Sequence, residues 1–343
     1  MMKKFFSLIL ALSCLAFLFS CSETRSANST NEAFSPLFRF TVKEGTSDET
    51  RLFYLEESEG FLYLHHGEEG LTGGFVSPKR SLSAESLFHI SGDLSSVSVW
   101  EKEKDFAVLL SSEKLYITKL NEKGILETPL PEGFSADGVF PLDPLSFAAK
   151  KDSLLLVHPI DLKETYVLAD TSLLTDFSHL ITTSGEGKFL WYAKQDEGGN
   201  YTGIAAFEYG KNIPLGEEKF SFDSVLSLGD GALLFTRKLQ DGKSLYTYRN
   251  LNTKEAYSYT SSILFEGVIA SETGEILCGS ETVDQGGKIH VIDLKKGREK
   301  GSYPVEYGKI APSLAVDKKG ETLLFAVGQG SDEILGTLDL KRF

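Results

Sequence analysis

Carboxylates are the side chains of this chain whose type and spacing best suit chemistry. Aspartates recur in polar turns one repeat apart, and the clearest of them are Asp196, Asp241 and Asp284. Converging carboxylates repel one another unless a cation relieves them, so such loops would suit a divalent cation or a basic partner. Acidic residues beside Gly and Lys are also ordinary turn formers. The three aspartates are therefore a candidate metal site, with loop formation as the alternative, and we expect no other cofactor.

The sequence lacks the residue patterns of common catalytic centres. Its six histidines include no pair at the spacing that places two metal ligands on one face of a helix. His65 and His66 are adjacent on a predicted strand, so their side chains point to opposite faces of a sheet. No Gly-x-Ser-x-Gly turn and no phosphate-binding loop occurs. We therefore predict no catalytic residue.

A second pattern is an aromatic residue in each of five successive connections between predicted repeats. Such a series would form an apolar platform for a partner protein if the rings were exposed. Aromatics at these places also wedge between neighbouring repeats, and burial of the rings would exclude the platform. The five candidate partner-binding residues are Phe134, Phe177, Phe222, Phe265 and Tyr307.

These candidates belong to a repeated unit that predicts the fold. The unit is a short apolar strand, a polar turn and a second strand rich in Leu and Phe. It occurs seven times between residues 52 and 325, at intervals of about 43 residues. Third and fourth strands follow in most copies, as at residues 115–120 and 124–130. This period is typical of one four-stranded blade. The chain is therefore predicted to be all-β, a seven-bladed β-propeller.

The two ends of the predicted domain complement each other. The seventh repeat ends at Phe343, immediately after its third strand. The apolar segment 36–42 precedes the first repeat and has no other evident partner. We predict that it completes the last blade and closes the ring, because closure removes an exposed strand edge. The alternatives are eight blades, with an extra repeat between residues 64 and 97, and an irregular pair of β-sandwiches.

The N-terminal sequence is typical of a targeting segment. Two lysines precede an uncharged apolar run over residues 5–20, which is short for a spanning helix. Leu18-Phe19-Ser20-Cys21 resembles a bacterial lipobox, which implies cleavage before Cys21 and lipidation of that cysteine. By the same resemblance, Ser22 implies sorting to the outer membrane. A simple secretory signal is the alternative. The predicted organisation is a signal peptide at 1–20, a polar tether at 21–33 and a propeller domain at 34–343.

The charge balance limits the partners of the chain. It has 35 basic and 49 acidic residues, a net charge of −14 at neutral pH. Such a surface repels the phosphates of nucleic acids and anionic lipid headgroups. Once Cys21 is acylated, Cys278 is the only other cysteine after the signal peptide, so no intramolecular disulfide forms. We expect a monomer that binds an envelope protein and reaches the membrane through its lipid alone.

The repeats resemble those of generic bacterial propellers. The closest segments are Lys288-Ile-His-Val-Ile-Asp-Leu294 and Ala315-Val-Asp-Lys-Lys-Gly-Glu-Thr-Leu323. We predict a lipid-anchored envelope protein on the periplasmic or surface face of the outer membrane, acting as a non-catalytic protein-binding scaffold or assembly factor. The alternative is an extracytoplasmic metal-dependent hydrolase or lyase of the lactonase-like kind.

Overall fold

The computed structural model contains twenty-eight strands in the part of the chain that it describes. The described residues are 34–41, 50–67, 70–77, 86–90, 97–111, 114–130, 140–143, 145–151, 154–161, 166–170, 177–184, 189–208, 214–229, 231–283, 286–305, 308–329 and 332–343. The predicted signal peptide, the tether and Cys21 lie outside these ranges. None of the helices in the described ranges has the length and hydropathy that would let it cross a bilayer.

The strands form seven four-stranded antiparallel sheets in these ranges, which are the predicted blades. Blades 1 and 2 contain β2 (Thr50–Leu55), β3 (Gly60–Gly67), β4 (Gly70–Val76), β5 (Ser86–Ile90), β6 (Ser98–Glu103), β7 (Phe106–Leu110), β8 (Lys114–Lys119) and β9 (Ile125–Pro129). Blades 3 and 4 contain β10 (Phe140–Asp143), β11 (Ser146–Lys151), β12 (Leu154–Pro159), β13 (Tyr166–Asp170), β14 (Phe177–Ser184), β15 (Phe189–Gln195), β16 (Tyr201–Glu208) and β17 (Pro214–Phe222). Blades 5 and 6 contain β18 (Ser224–Gly229), β19 (Ala232–Lys238), β20 (Ser244–Asn250), β21 (Ala256–Ser261), β22 (Gly267–Ala270), β23 (Ile276–Val283), β24 (Gly286–Asp293) and β25 (Arg298–Val305).

The last blade joins the two ends of the chain. It contains β26 (Lys309–Val316), β27 (Thr322–Gln329), β28 (Asp332–Asp339) and β1 (Phe34–Thr41). β1 pairs antiparallel with β28, from Phe34 opposite Leu338 to Thr41 opposite Asp332. The predicted closure by an N-terminal strand is confirmed, and the seven-bladed reading is preferred over eight blades. A short 3-10 helix, Leu340–Arg342, follows β28.

The first strand of each blade lies on the inside of the ring. β2 contacts β26 and β6, β10 contacts β6 and β14, β14 contacts β18, and β22 contacts β26. The second strands are continuous apolar runs because both of their faces are covered by neighbouring blades. In β19, for example, Ala232, Leu233, Leu234 and Phe235 are all buried. The core therefore consists of apolar layers between successive blades rather than of one central cluster.

A tight turn joins the first two strands of each blade. Asp105, Gly231, Gly274 and Gly320 lie in the polar turns of the repeated unit and have positive φ angles of 67°, 75°, 66° and 72°. Glycine adopts this conformation at little cost, because it has no Cβ. The turns are also tied to the third strands of their blades. The N–H of Leu120 donates to the carbonyl of Asp105 at 2.8 Å, and that of Leu251 to Gly231 at 2.9 Å.

Candidate functional site

The loops that join second and third strands contain the aspartates predicted to bind a cation. Asp196 Oδ1 accepts hydrogen bonds from the backbone N–H groups of Gly198 and Asn200, each at 2.9 Å. The side-chain amide of Asn200 donates to both of its oxygens. These bonds, first the backbone N–H of Asn200 and then its side chain, lower the pKa of Asp196. Asp196 thus shapes the loop in which it lies.

Asp241 is held in the same way within its own loop. Its Oδ2 lies 2.8 Å from Lys243 Nζ, and its Oδ1 accepts the backbone N–H of Lys243 at 3.2 Å. The hydrogen bond to Lys243 is the main cause of its lowered pKa. Asp284 lies outside the described residues. Within the described ranges, no three His, Cys, Asp or Glu side chains come together in a way that would hold a metal ion. The metal site stays a prediction.

Two of the five connecting aromatics have described side chains, and both are buried. Phe222 is 3% exposed and stacks on Tyr201, with ring centroids 4.7 Å apart. Phe265 is 7% exposed and lies 5.3 Å from the ring of Tyr246. The prediction that these two rings are exposed as part of a platform is wrong, because both rings pack between neighbouring blades. The backbone of Phe177 begins β14, and its side chain, like Phe134 and Tyr307, is outside what the structure describes.

The opposite face of the ring, formed by the turns between first and second strands, carries a charged network that the sequence did not predict. Glu101 of β6 accepts the backbone N–H groups of Glu57 and Ser58, both at 2.7 Å. The hydroxyl of Ser58 donates to the same carboxylate and accepts the N–H of Asp105 at 3.0 Å. Burial raises the pKa of Glu101, although the bonds from Ser58 and Glu57 oppose the shift. This network joins blade 2 to blade 1.

Lys318 extends the network across blades 1, 7 and 6. It lies in the turn of blade 7 and pairs with Glu56 of blade 1 and with Glu272 of blade 6, the latter at 3.2 Å. Burial lowers the pKa of Lys318, but the bond to Glu56 and the charge of Glu272 outweigh it and raise the pKa overall. No motif marks these residues, because each partner comes from a different repeat.

Tyr54 lies beside this network on β2. Burial first, and then the charges of Asp317, Glu56, Glu59 and Glu101, raise the pKa of Tyr54 to about 12. Its hydroxyl therefore keeps its proton near neutral pH and does not act as a base. Among the described residues of this face, the charged groups pair with one another between blades and none is an activated nucleophile, so the arrangement stabilises the ring.

A buried histidine lies between blades 5 and 6. His290 of β24 places Nε2 at 2.9 Å from Glu281 Oε2, and Nδ1 at 2.9 Å from Glu299 Oε1. Its ring also lies 5.3 Å from that of Phe265. Both nitrogens are engaged by carboxylates of the flanking strands, so the imidazole acts as a bridge within the blade.

The gap between blades 2 and 3 is open at its outer end. Leu126 of β9 is opposite Ile117 of β8, and Val167 of β13 is opposite Leu156 of β12. Ile117 packs against the cluster that contains Phe147 and Ala149 of blade 3. Leu156 is opposite Ala149 in turn. Since residues paired across strands share a face, all four point into this gap, which we call the 2–3 groove.

The outermost side chains of the 2–3 groove are largely in solvent. Leu126 is 63% exposed and Val167 is 62% exposed. Deeper in the gap, Trp100 and Phe147 close the layer, with ring centroids 6.5 Å apart, and Phe147 stacks on His158 at 5.4 Å. The sequence analysis did not predict this groove. The sequence does contain one signal for it, which is an apolar residue on each of two successive fourth strands.

Comparisons with known proteins identify the fold and nothing finer. Neither a protein-family model nor a curated protein matches this sequence. The chain is similar to an oligogalacturonate lyase in complex with manganese (TM-score 0.59, 11% identity, 90% of this chain and 97% of that chain). It is also similar to the Pan2 WD40 domain of Neurospora crassa (0.56, 13%, 89% and 95%) and to a chain of the mitotic checkpoint complex (0.52, 11%, 88% and 93%). At these identities the likeness shows that the chain is a β-propeller.

Proposed function

We propose that this chain is a lipid-anchored envelope protein whose propeller binds another protein without catalysis. The observation that carries the proposal is the 2–3 groove, where one exposed aliphatic side chain from each of two neighbouring blades faces the same gap. A contiguous exposed apolar patch on a folded domain is typical of an interaction site, whereas single exposed apolar side chains are ordinary. The charged residues of the turn face pair with one another, which supports a structural role for them rather than a catalytic one.

The membrane part of the proposal rests on the N-terminal sequence. Cys21 follows an apolar segment of the signal-peptide type, and lipidation there would anchor the propeller through a polar tether. In a bacterial host, we expect the full chain to fractionate with membranes and to incorporate labelled palmitate. The Cys21→Ser variant should lose the label. A variant that keeps the label would exclude Cys21 as the acceptor.

Two measurements test the binding role. Cross-linking of the full chain in bacterial envelopes should give a discrete adduct with one protein, and the absence of any adduct would contradict the scaffold. Melting with excess calcium, magnesium, manganese or zinc tests the hydrolase or lyase alternative. Binding to the native state stabilises by about 2.7 kcal/mol at one hundred times the dissociation constant. If one ion raises the melting temperature of the natural chain but not that of Asp196→Ala or Asp241→Ala, the proposal of a non-catalytic protein would be overturned.

A further inference from the structure

The molecule contains a second gap of the same kind that is closed by its own side chains. Tyr248 of β20 is opposite Tyr257 of β21, and both face blade 6. Ile117 and Tyr248 hold the same place in their blades, each three residues before the leucine that donates to the turn of its blade. We call the gap lined by Tyr248, Tyr257, His290 and Glu299 the 5–6 groove.

Aromatic and ionic contacts fill the outer end of the 5–6 groove. The rings of Tyr248 and Tyr257 stack with centroids 5.9 Å apart. Lys295 Nζ lies 5.8 Å from the centroid of Tyr257, and the hydroxyl of Tyr257 donates to Glu255 at 3.0 Å. Tyr259 also packs against this layer. An aromatic side chain covers far more area than an aliphatic one, so these rings cover the outer end of the layer between blades 5 and 6.

The 2–3 groove has shorter residues where the 5–6 groove has rings. Leu126 stands at the place of Tyr257, and Val167 faces it from the next blade. Leucine and valine side chains are shorter than that of tyrosine. Both are exposed here, and the side chains of Ile117 and Leu156 beneath them are only partly buried. The groove thus lacks the ring that its counterpart supplies.

We propose that the 2–3 groove binds an aromatic side chain of a partner protein, carried on a segment with Lys or Arg beside the ring. The inference rests on the proposed function, because it names the surface and the partner chemistry of that binding propeller. We infer an aromatic ring from the 5–6 groove, because there Tyr257 of the chain itself covers the outer end of the gap. The basic flank follows from charge, since the net charge of −14 attracts cations and repels acidic segments.

The local groups agree with such a partner. Asp161, just after β12, is an exposed carboxylate beside blade 3. In the 5–6 groove a lysine over the ring and a carboxylate at its hydroxyl accompany Tyr257. A partner tyrosine with an adjacent lysine would bring to this groove the ring and the cation that Tyr257 and Lys295 supply in the other.

Methyl NMR of the full chain in detergent tests the proposal directly. The peptide acetyl-Lys-Tyr-Lys-amide should shift the methyl signals of Leu126 and Val167, with a dissociation constant on the order of 1 mM. The methyl groups of Leu264 and Val283, which are exposed elsewhere, serve as internal controls. Acetyl-Lys-Ser-Lys-amide and acetyl-Glu-Tyr-Glu-amide should bind at least tenfold more weakly. Equal shifts at all four residues, or equal binding of the serine or the glutamate peptide, would overturn the proposal.

Variants decide whether the groove itself is the site. Leu126→Tyr places in blade 2 the ring that blade 5 has, so it should fill the groove and weaken the Lys-Tyr-Lys peptide at least tenfold. Leu264→Tyr adds the same ring at another exposed leucine and should bind the peptide as the natural chain does. Leu126→Ala, which removes contacts without adding bulk, should also weaken binding. Unchanged binding in both Leu126 variants would overturn the proposal.

The experiments also distinguish a different occupant of the groove, and a failure of the groove assignment from a failure of the scaffold function. A dimer that forms on concentration and is lost in Leu126→Tyr would identify a second copy of the chain as the occupant and overturn the aromatic partner. If envelope cross-linking gives the same adduct with the natural chain and with Leu126→Tyr, the groove assignment fails while the scaffold function stands. If no adduct forms with either chain, the scaffold function fails as well.

Discussion

The 5–6 groove and the 2–3 groove are built from corresponding strands, yet one is closed and the other is open. In the first, Tyr248 is fully buried beneath Tyr257 and Lys295 covers the outer ring. In the second, Leu126 and Val167 of the fourth strands are exposed. The backbone plan is shared, so the difference lies in side-chain length. A repeat can therefore keep its fold while a few residues turn a structural gap into a binding surface.

The largest expected effect comes from emptying the closed groove. Tyr248→Ala removes a fully buried ring and the hydrogen bond from its hydroxyl to the carbonyl of Glu272 at 2.5 Å. We expect a loss of about 3–5 kcal/mol in the free energy of unfolding, measured with urea. Tyr248→Phe keeps the ring and should lose only about 1 kcal/mol. A loss below about 1 kcal/mol in the alanine variant would show that this groove is not closed by packing.

A smaller effect is expected where the backbone of blade 6 approaches a ring. A Cβ added at Gly279 would lie 2.3 Å from Phe265 Cδ2, so Gly279→Ala should cost about 1–3 kcal/mol through overpacking. Combining it with Phe265→Leu relieves the clash. The double variant should therefore lose less stability than the sum of the two single losses. Strict additivity in urea unfolding would contradict the close contact.

The closed groove should also be sensitive to alkali. Burial raises the pKa of both Tyr246 and Tyr248 above the unfolded value. For an acid whose folded pKa is raised, the contribution to stability is full below the unfolded pKa, near 10, and is lost as the pH rises through the folded pKa. Urea midpoints at pH 9 and pH 11 should therefore fall less for Tyr248→Phe than for the natural chain. An equal fall would argue against this source of alkaline instability.

The smallest effect is expected in the open groove. Leu126→Ala and Val167→Ala remove side chains that already contact water over most of their surface. Each should change the free energy of unfolding by no more than about 0.5 kcal/mol. A loss above about 1 kcal/mol in either variant would mean that the 2–3 groove is packed in solution, and the contrast between the two grooves would disappear.

The fold was accessible from the sequence because the repeat is a local pattern. The period near 43 residues, the polar turn of the repeated unit and the spare N-terminal strand all predicted features that the structure contains. The candidate sites were less accessible. The aspartate pattern was real, but Asp196 and Asp241 bond within their own loops, and a turn signal and a ligand signal use the same residue type.

The aromatic residues in the connections between blades also show that a regular spacing does not reveal whether a side chain is exposed. Their spacing was regular, yet Phe222 and Phe265 are buried, since a ring at a blade boundary gains more by packing than by exposure. The sequence by itself determined the strand order, the blade number and the closure of the ring, because these follow from periodic local patterns. Only the tertiary structure decided which apolar residues are covered and which charges meet, as with Glu101 and Ser58 or Lys318 and Glu272. Those contacts join different blades, so they exist only once the blades have packed against one another.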